Sequence, residues 1–301
     1  MINNNKYDPT RTTGLRNQFS KDMDKRFNEL VSFIKIVIVE RDCFALKNIR
    51  TMQMVPVSDE EFDRESYAEE IALFLLWLQR QVDLGILTQS QFYHMGRIIS
   101  QPWTNGYVKD AYYRGIMRAR EEMIKAGMAV PSIDASGGID VVASNLTHTQ
   151  RLNMLYASVY NELQGATDAM RGRISQVLTQ GLMQGKSSAA IYKEVRAVID
   201  GTSMGVLGIT DKIGRFIPAK VRAEMIARTE IIRALHLAAV EEYRQWGVKG
   251  IVVMAEWRTA HDAKVCPKCA SMEGQVFTLD EIEYKIPAHP DCRCFILPIM
   301  R

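Results

Sequence analysis

Apolar positions recur every three or four residues over most of the chain. Leu15, Phe19, Met23, Phe27, Leu30, Val31, Ile34 and Ile38 keep that spacing, with Arg16, Lys21, Asp22, Asp24, Lys25 and Arg26 between them. The pattern predicts an amphipathic helix over 14–42. Ser58 before Glu60 and Glu61 marks the start of a helix over 59–84, closed by Gly85. Thr88 or Ser90 caps an expected helix over 89–100, and Pro102 opens another over 102–126 that Gly127 stops. Pro131, Ser132, Ser136, Gly137 and Gly138 interrupt the periodicity over 128–145. Helical spacing resumes at Thr147 and runs to Asp200, with breaks expected near Gly165 and Gly185. Ser187 or Ser188 caps the last part and Gly201 ends it. Gly201 to Gly214 reads as a flexible connection. Gly205 and Gly208 do not make a phosphate loop, because no Gly-Lys-Ser/Thr follows and no strand precedes. Pro218 opens a long helix over 218–246. The texture then changes: 250–257 (GIVVMAEW), 275–279 (QVFTL) and 293–298 (RCFILP) read as short strands.

The fold class expected is therefore mainly α, with a small C-terminal β-containing unit, α+β overall. The organisation expected is an arm over 1–13, a helical domain over 14–127, a linker or long loop over 128–145, a second helical domain over 146–249 and a small unit over 250–301. A length of 301 residues suits about two domains. The longest apolar run, Ile71 to Leu78, has 8 residues where a membrane span needs about 20, and the polar start does not read as a secretory signal. A reducing compartment and no membrane partner are expected. The net charge of +3 is too small to argue for nucleic acid. Its distribution is uneven: 10 basic against 6 acidic residues over 1–50, then 3 against 8 over 51–100. Such asymmetry suits docking between surfaces, and equally suits ordinary solvated faces.

Four of the five cysteines, Cys266, Cys269, Cys292 and Cys294, fall in the last 36 residues; Cys43 stands apart. Cys266-Pro-Lys-Cys269 has the spacing of a zinc knuckle, where a tight turn points both sulfurs at one ion. His289, Cys292 and Cys294 offer the second pair after 19 intervening residues, enough for a hairpin to return. Two disulfides or inert buried thiols are the other readings of the same residues. Five candidate ligands leave no open water position, so a structural rather than catalytic Zn²⁺ is expected.

No catalytic motif is present: neither His-Glu-x-x-His nor the deaminase pattern occurs. His261 and Asp262 could form an acid/base pair, although Asp262 more plainly starts an Asx turn. His236 lies among apolar helix residues and reads as a packing or interface histidine. Arg228, Thr229 and Glu230 are a compact polar trio in which Arg228 cannot face Glu230, so each is expected to contact the β end or another subunit.

Together these residues resemble the phage head-morphogenesis, or minor head, family of the phage Mu protein F-like group. The resemblance is carried by Ala227-Arg228-Thr229-Glu230, Tyr243, Gly247-Val248, Trp257, Asp262, Val265-Cys266-Pro267-x-Cys269, Gly274 and His289-Pro290-x-Cys292-Arg293-Cys294. Gly185-Lys186-Ser187, Ala189-Ala190-Ile191 and the start Asp8-Pro9-Thr10-Arg11-Thr12-Thr13 fit more loosely. The resemblance implies a structural virion protein at the portal vertex of the phage head, made in the host cytoplasm. It implies roles in head assembly and in genome packaging or delivery. Its partners would be the portal protein or the major capsid protein, with packaged DNA a further candidate. The motif residues Arg228, Thr229, Glu230, Trp257 and Asp262 would be structural or interaction residues. Some relatives carry a toxin domain beyond this region; with seven residues after Cys294, none is expected here. Two other classes fit the same ending. One is a treble-clef-type nuclease, in which His261 or His289 with Asp262 or Asp291 binds a catalytic metal. The other is a zinc-stabilised DNA-binding module.

Overall fold

The computed structural model describes residues 8–46, 64–87, 89–94, 97–201, 209–210, 216–248 and 253–300. Helices dominate. In chain order they are α1 (Thr13–Lys35), α2 (Arg64–Val82), α3 (Thr104–Lys125), α4 (Ile139–Ala143), α5 (Leu146–Met183), α6 (Ser188–Asp200), α7 (Ala219–Val248), α8 (Pro267–Ala270) and α9 (Leu279–Ile282). Single π-helical turns, Ile36–Glu40 and Asp83–Leu87, extend α1 and α2. The strands are β1 (Gln89–His94), β2 (Arg97–Pro102), β3 (Ile209–Thr210), β4 (Phe216–Ile217), β5 (Val253–Arg258), β6 (Val276–Phe277) and β7 (Phe295–Met300). The mainly helical fold with a small C-terminal sheet is as expected.

The chain divides into two compact units. One holds residues up to Ser20, Trp103–Tyr160 and Met225–Arg301; the other holds Lys21–Pro102 and Asn161–Glu224. The second unit buries Ile34, Ile38, Phe74, Leu78, Val82, Met170, Ile174, Leu178, Ile191 and Val195, positions at helical spacing on their own elements. The helix expected over 89–100 is instead the antiparallel hairpin β1–β2, with Phe92 opposite Ile99 and Tyr93 opposite Ile98. The helix reading rested on cap residues alone; β-branched and aromatic residues favour the extended backbone. The break expected at Gly165 is also absent. α5 runs through it, since the burial of Leu163, Ala166 and Met170 offsets the roughly 1 kcal/mol that a mid-helix glycine costs. Gly185 does end α5 with positive φ, Ser187 caps α6 by accepting from the Ala190 amide, and Gly201 closes it left-handed. The helix start read at Ser58, the caps at Thr88, and Gly205 and Gly208 lie outside the described residues.

The first unit carries the C-terminal sheet, strand order β6-β5-β7, all antiparallel. β5 alternates inward Val253, Ala255 and Trp257 with outward Met254, Glu256 and Arg258. The inward residues join one core with Ala119 and Met123 of α3, Ile232, Val240, Tyr243 and Trp246 of α7, and Cys269, Ile282, Cys292, Cys294 and Ile296. α3 and α7 approach closely at Gly115, where a Cβ would lie 2.4 Å from the Leu235 carbonyl oxygen. Residues 128–145 contain a 3-10 turn at Asp134–Ser136, two glycines at positive φ and α4.

Asp8 organises the start of α1. Its carboxylate accepts from the amides of Thr10, Thr12 and Thr13, from the Thr10 and Thr13 hydroxyls, and from Arg16 at 3.2 Å. Burial opposes ionisation here, but these donors outweigh it and hold the acid down at about 2. A folded-state value below the unfolded one stabilises above the unfolded pKa of about 4 and is lost as pH falls toward 2. Asp8→Ala should therefore cost about 2 kcal/mol at neutral pH. The gap between urea midpoints of wild type and variant should close as pH drops through that window; a gap independent of pH would refute the assignment.

Candidate metal centre

The Cys-Pro-x-Cys segment becomes a site through its own capping. Cys266 is the N-cap of α8: its backbone is extended, its sulfur accepts from the Cys269 amide at 3.4 Å, and Pro267 occupies the first helical position. The single turn thereby places both sulfurs on one side. That amide contact, and the imidazole of His289 nearby, lower the Cys266 thiol below its ordinary value.

The second half of the site returns from the far side of β6 and α9. His289 Nε2 lies 3.3 Å from the Cys266 sulfur and 3.2 Å from the Cys269 sulfur. Its other nitrogen, Nδ1, is 2.7 Å from the Pro290 carbonyl oxygen, which can only accept. Nδ1 therefore carries a proton, and in the neutral ring Nε2 presents its lone pair toward the thiols. This is the outer hydrogen bond that orients metal-binding histidines. Cys292 Sγ is 4.0 Å from Cys269 Sγ, and Cys294 completes a buried trio with them. The Cys294 thiol donates to Cys292 and pulls that sulfur down to about 5, while Cys294 itself is pushed up.

The donor atoms form two overlapping triads, Cys266-Cys269-His289 and Cys269-Cys292-Cys294, each within 4.8 Å and sharing Cys269. Ligands around one tetrahedral ion with bonds of about 2.3 Å stand about 3.8 Å apart, and the donors here are separated by 3.2, 3.3 and 4.0 Å. All five cysteines carry free thiols. The cluster thus fits a metal ion in donor chemistry and spacing; Cys269, Cys292 and Cys294 are buried and Cys266 is half-buried.

α7 holds the loop that supplies His289 and Cys292. Thr229 Oγ1 accepts from the Asp291 amide at 3.3 Å while donating to the Met225 carbonyl, and Arg228 lies 3.9 Å from the Asp291 carboxylate. Glu230 pairs with Arg233, one turn on, at 2.9 Å. His236 is fully buried and its Nε2 donates to the Ile282 carbonyl at 3.0 Å. Burial pushes its pKa down to about 4, so it stays neutral in that packing role.

Asp262 forms the Asx turn, accepting from the Lys264 amide at 2.9 Å. It also receives the Arg293 guanidinium through both nitrogens. His261 pairs with Glu273 at 3.1 Å, not with Asp262. Glu273 was not singled out by the sequence, yet it clasps this turn, accepting from the Thr259 amide and from Arg258. Trp257 is buried in the same core, with no hydrogen-bond partner for its indole nitrogen among the described residues.

Residues 172–297 match the family described as Phage Mu protein F like protein. Over that span the chain is similar to this family. The match takes in α7, the C-terminal sheet as far as Leu297 and all five candidate donors, and it includes the Gly185-Lys186-Ser187 segment. It does not extend to the Asp8–Thr13 start. No curated protein and no solved structure matches the chain. Among the described residues, no helix is long and apolar enough to cross a membrane.

Proposed function

We propose that this Mu F-like chain is a structural minor head protein of a tailed phage. It docks at the portal vertex or the inner capsid and takes part in head assembly and in genome packaging or delivery. The family match over 172–297 carries this reading. Its partners in this view are the portal protein or the major capsid protein, and packaged DNA is a further one. Its place is the virion, after assembly in the host cytoplasm.

The C-terminal unit serves this role as a rigid contact module closed by a structural Zn²⁺. Its four ligands are drawn from Cys266, Cys269, His289, Cys292 and Cys294. The ion's contribution is to cross-link the α8 turn to the His289–Cys294 loop. Soft thiolate donors suit zinc and not the Mg²⁺ of a nuclease. Asp262 engaged by Arg293, and His261 by Glu273, do not make the acid/base or metal-binding pair that a nuclease requires. No residue is assigned a catalytic role.

The test is genetic. Particles made without this protein should assemble poorly, package incompletely or fail to infect. Particles that assemble, package and infect normally would overturn the proposal.

A further inference from the structure

α2 has two apolar faces, and among the described residues only one of them is buried. Phe74, Leu78 and Val82 point into the core. On the opposite side Leu73 is 67% exposed and Leu76 69%, with Leu84 at 63% in the π-helical turn that follows. Leucines left this open in the middle of a helix are unusual as a contiguous pair. Glu69 and Arg80, both exposed, lie on the same side, one turn before and one turn after the leucines. The positions 69, 73, 76 and 80 are spaced four, three and four, which is the seam of a coiled coil. Ala72 flanks the seam with a small side chain, so another helix can approach closely.

We propose that this seam pairs with α2 of a second copy of the chain, antiparallel and across a two-fold axis. The charges select that occupant. A two-fold axis between Leu73 and Leu76 sets each leucine opposite the other one of the second copy. The same register sets Glu69 opposite Arg80 at one end and Arg80 opposite Glu69 at the other. A parallel pairing would instead put glutamate on glutamate and arginine on arginine. Opposite charges on the flanks of an apolar centre fix both orientation and register. The surface is self-complementary, as a two-fold interface requires. A single helix seam is smaller than the roughly 800 Å² per partner of a standard interface, so the pairing depends on concentration.

Sedimentation equilibrium of the full-length protein tests this, over about two decades of micromolar concentration. The weight-average mass should rise from 34.2 kDa toward twice that value. Leu73→Glu with Leu76→Glu should weaken association by at least about tenfold with the circular dichroism spectrum unchanged. Glu69→Arg and Arg80→Glu should each weaken it by about tenfold, because each sets like charges opposite at both ends. The two together should restore it to within about threefold of wild type. A chain that stays monomeric alone, whatever other protein or apolar helix binds it, overturns the proposal. So does a dimer indifferent to the leucine variant, or a charge-swapped pair no tighter than the single variants.

Discussion

Stripping the metal from the purified protein is expected to unfold its C-terminal unit. The sheet β6-β5-β7 spans few residues, and its core is completed by Cys269, Cys292 and Cys294 themselves. The α8 turn and the His289–Cys294 loop have little regular structure of their own to hold them together. A structural zinc supplies an apparent binding free energy of about 10–16 kcal/mol, more than such a unit's own packing. Elemental analysis should find one zinc per chain. A chelator should release it, abolish the near-ultraviolet dichroism of the buried Trp257, and expose four thiols in addition to the accessible Cys43. Cys269→Ser should have the largest effect of any single ligand change, because Cys269 belongs to both donor triads. Cys43→Ser should have none. A native protein free of metal, with its thiols disulfide-bonded or titrating freely without loss of structure, would refute the metal centre.

A second large effect is expected far from the cysteines, at Glu242 on α7. Its carboxylate is fully buried and accepts from Arg120 Nε at 2.8 Å and from a second Arg120 nitrogen. It also accepts from Trp246 Nε1 at 2.9 Å and from His148 Nε2 at 3.3 Å. The Tyr112 hydroxyl hydrogen-bonds the other nitrogen of His148 at 3.0 Å, and Arg120 also reaches the Ser136 hydroxyl. Burial opposes ionisation of Glu242, but His148, Trp246 and Arg120 together hold its pKa below the ordinary value, so the carboxylate is charged. Arg120→Met leaves that charge without its counter-ion. Breaking one side of a buried pair costs about 3–5 kcal/mol, whereas replacing both sides by apolar groups is often close to neutral. Chemical denaturation should therefore show Arg120→Met strongly destabilised and Arg120→Met with Glu242→Leu largely recovered. If the single variant loses less than about 1 kcal/mol, or the double variant loses the sum of both, the pair is not the buried anchor described here. Because the Glu242 pKa is lowered by folding, its stabilisation is complete at neutral pH and fades as the solution is acidified below about 4.

The helices were legible because each needs only its own 3.6-residue stripe, and Leu15 to Ile38 or Ile226 to Tyr243 display theirs in full. The thiol cluster was legible for a similar reason. Cys-Pro-x-Cys encodes its cap and turn within four residues, and the family resemblance carried the rest. The Arg120–Glu242–His148 cluster was not legible, since its members stand 122 and 94 residues apart and each sits within an otherwise ordinary helix. One signal was available: Glu241 and Glu242 interrupt the apolar stretch Leu237–Val240 just before Tyr243, where carboxylates must be buried. The β1–β2 hairpin was missed because capping residues were weighed above the β-branched and aromatic content of its arms. Glu273 escaped notice because an acid in a loop has no periodicity to betray what it clasps.

The hydroxyl of Thr229 on the Asp291 amide, and His236 on the Ile282 carbonyl, tie the long helix to the cysteine loops with two hydrogen bonds. Helix and loops are thus a single heritable piece. α7 ends at Val248 and β5 begins at Val253. Any fragment meant to carry the finished cluster has to begin upstream of Met225, and a substitution at Thr229 is in effect a substitution at the rim of the thiol site.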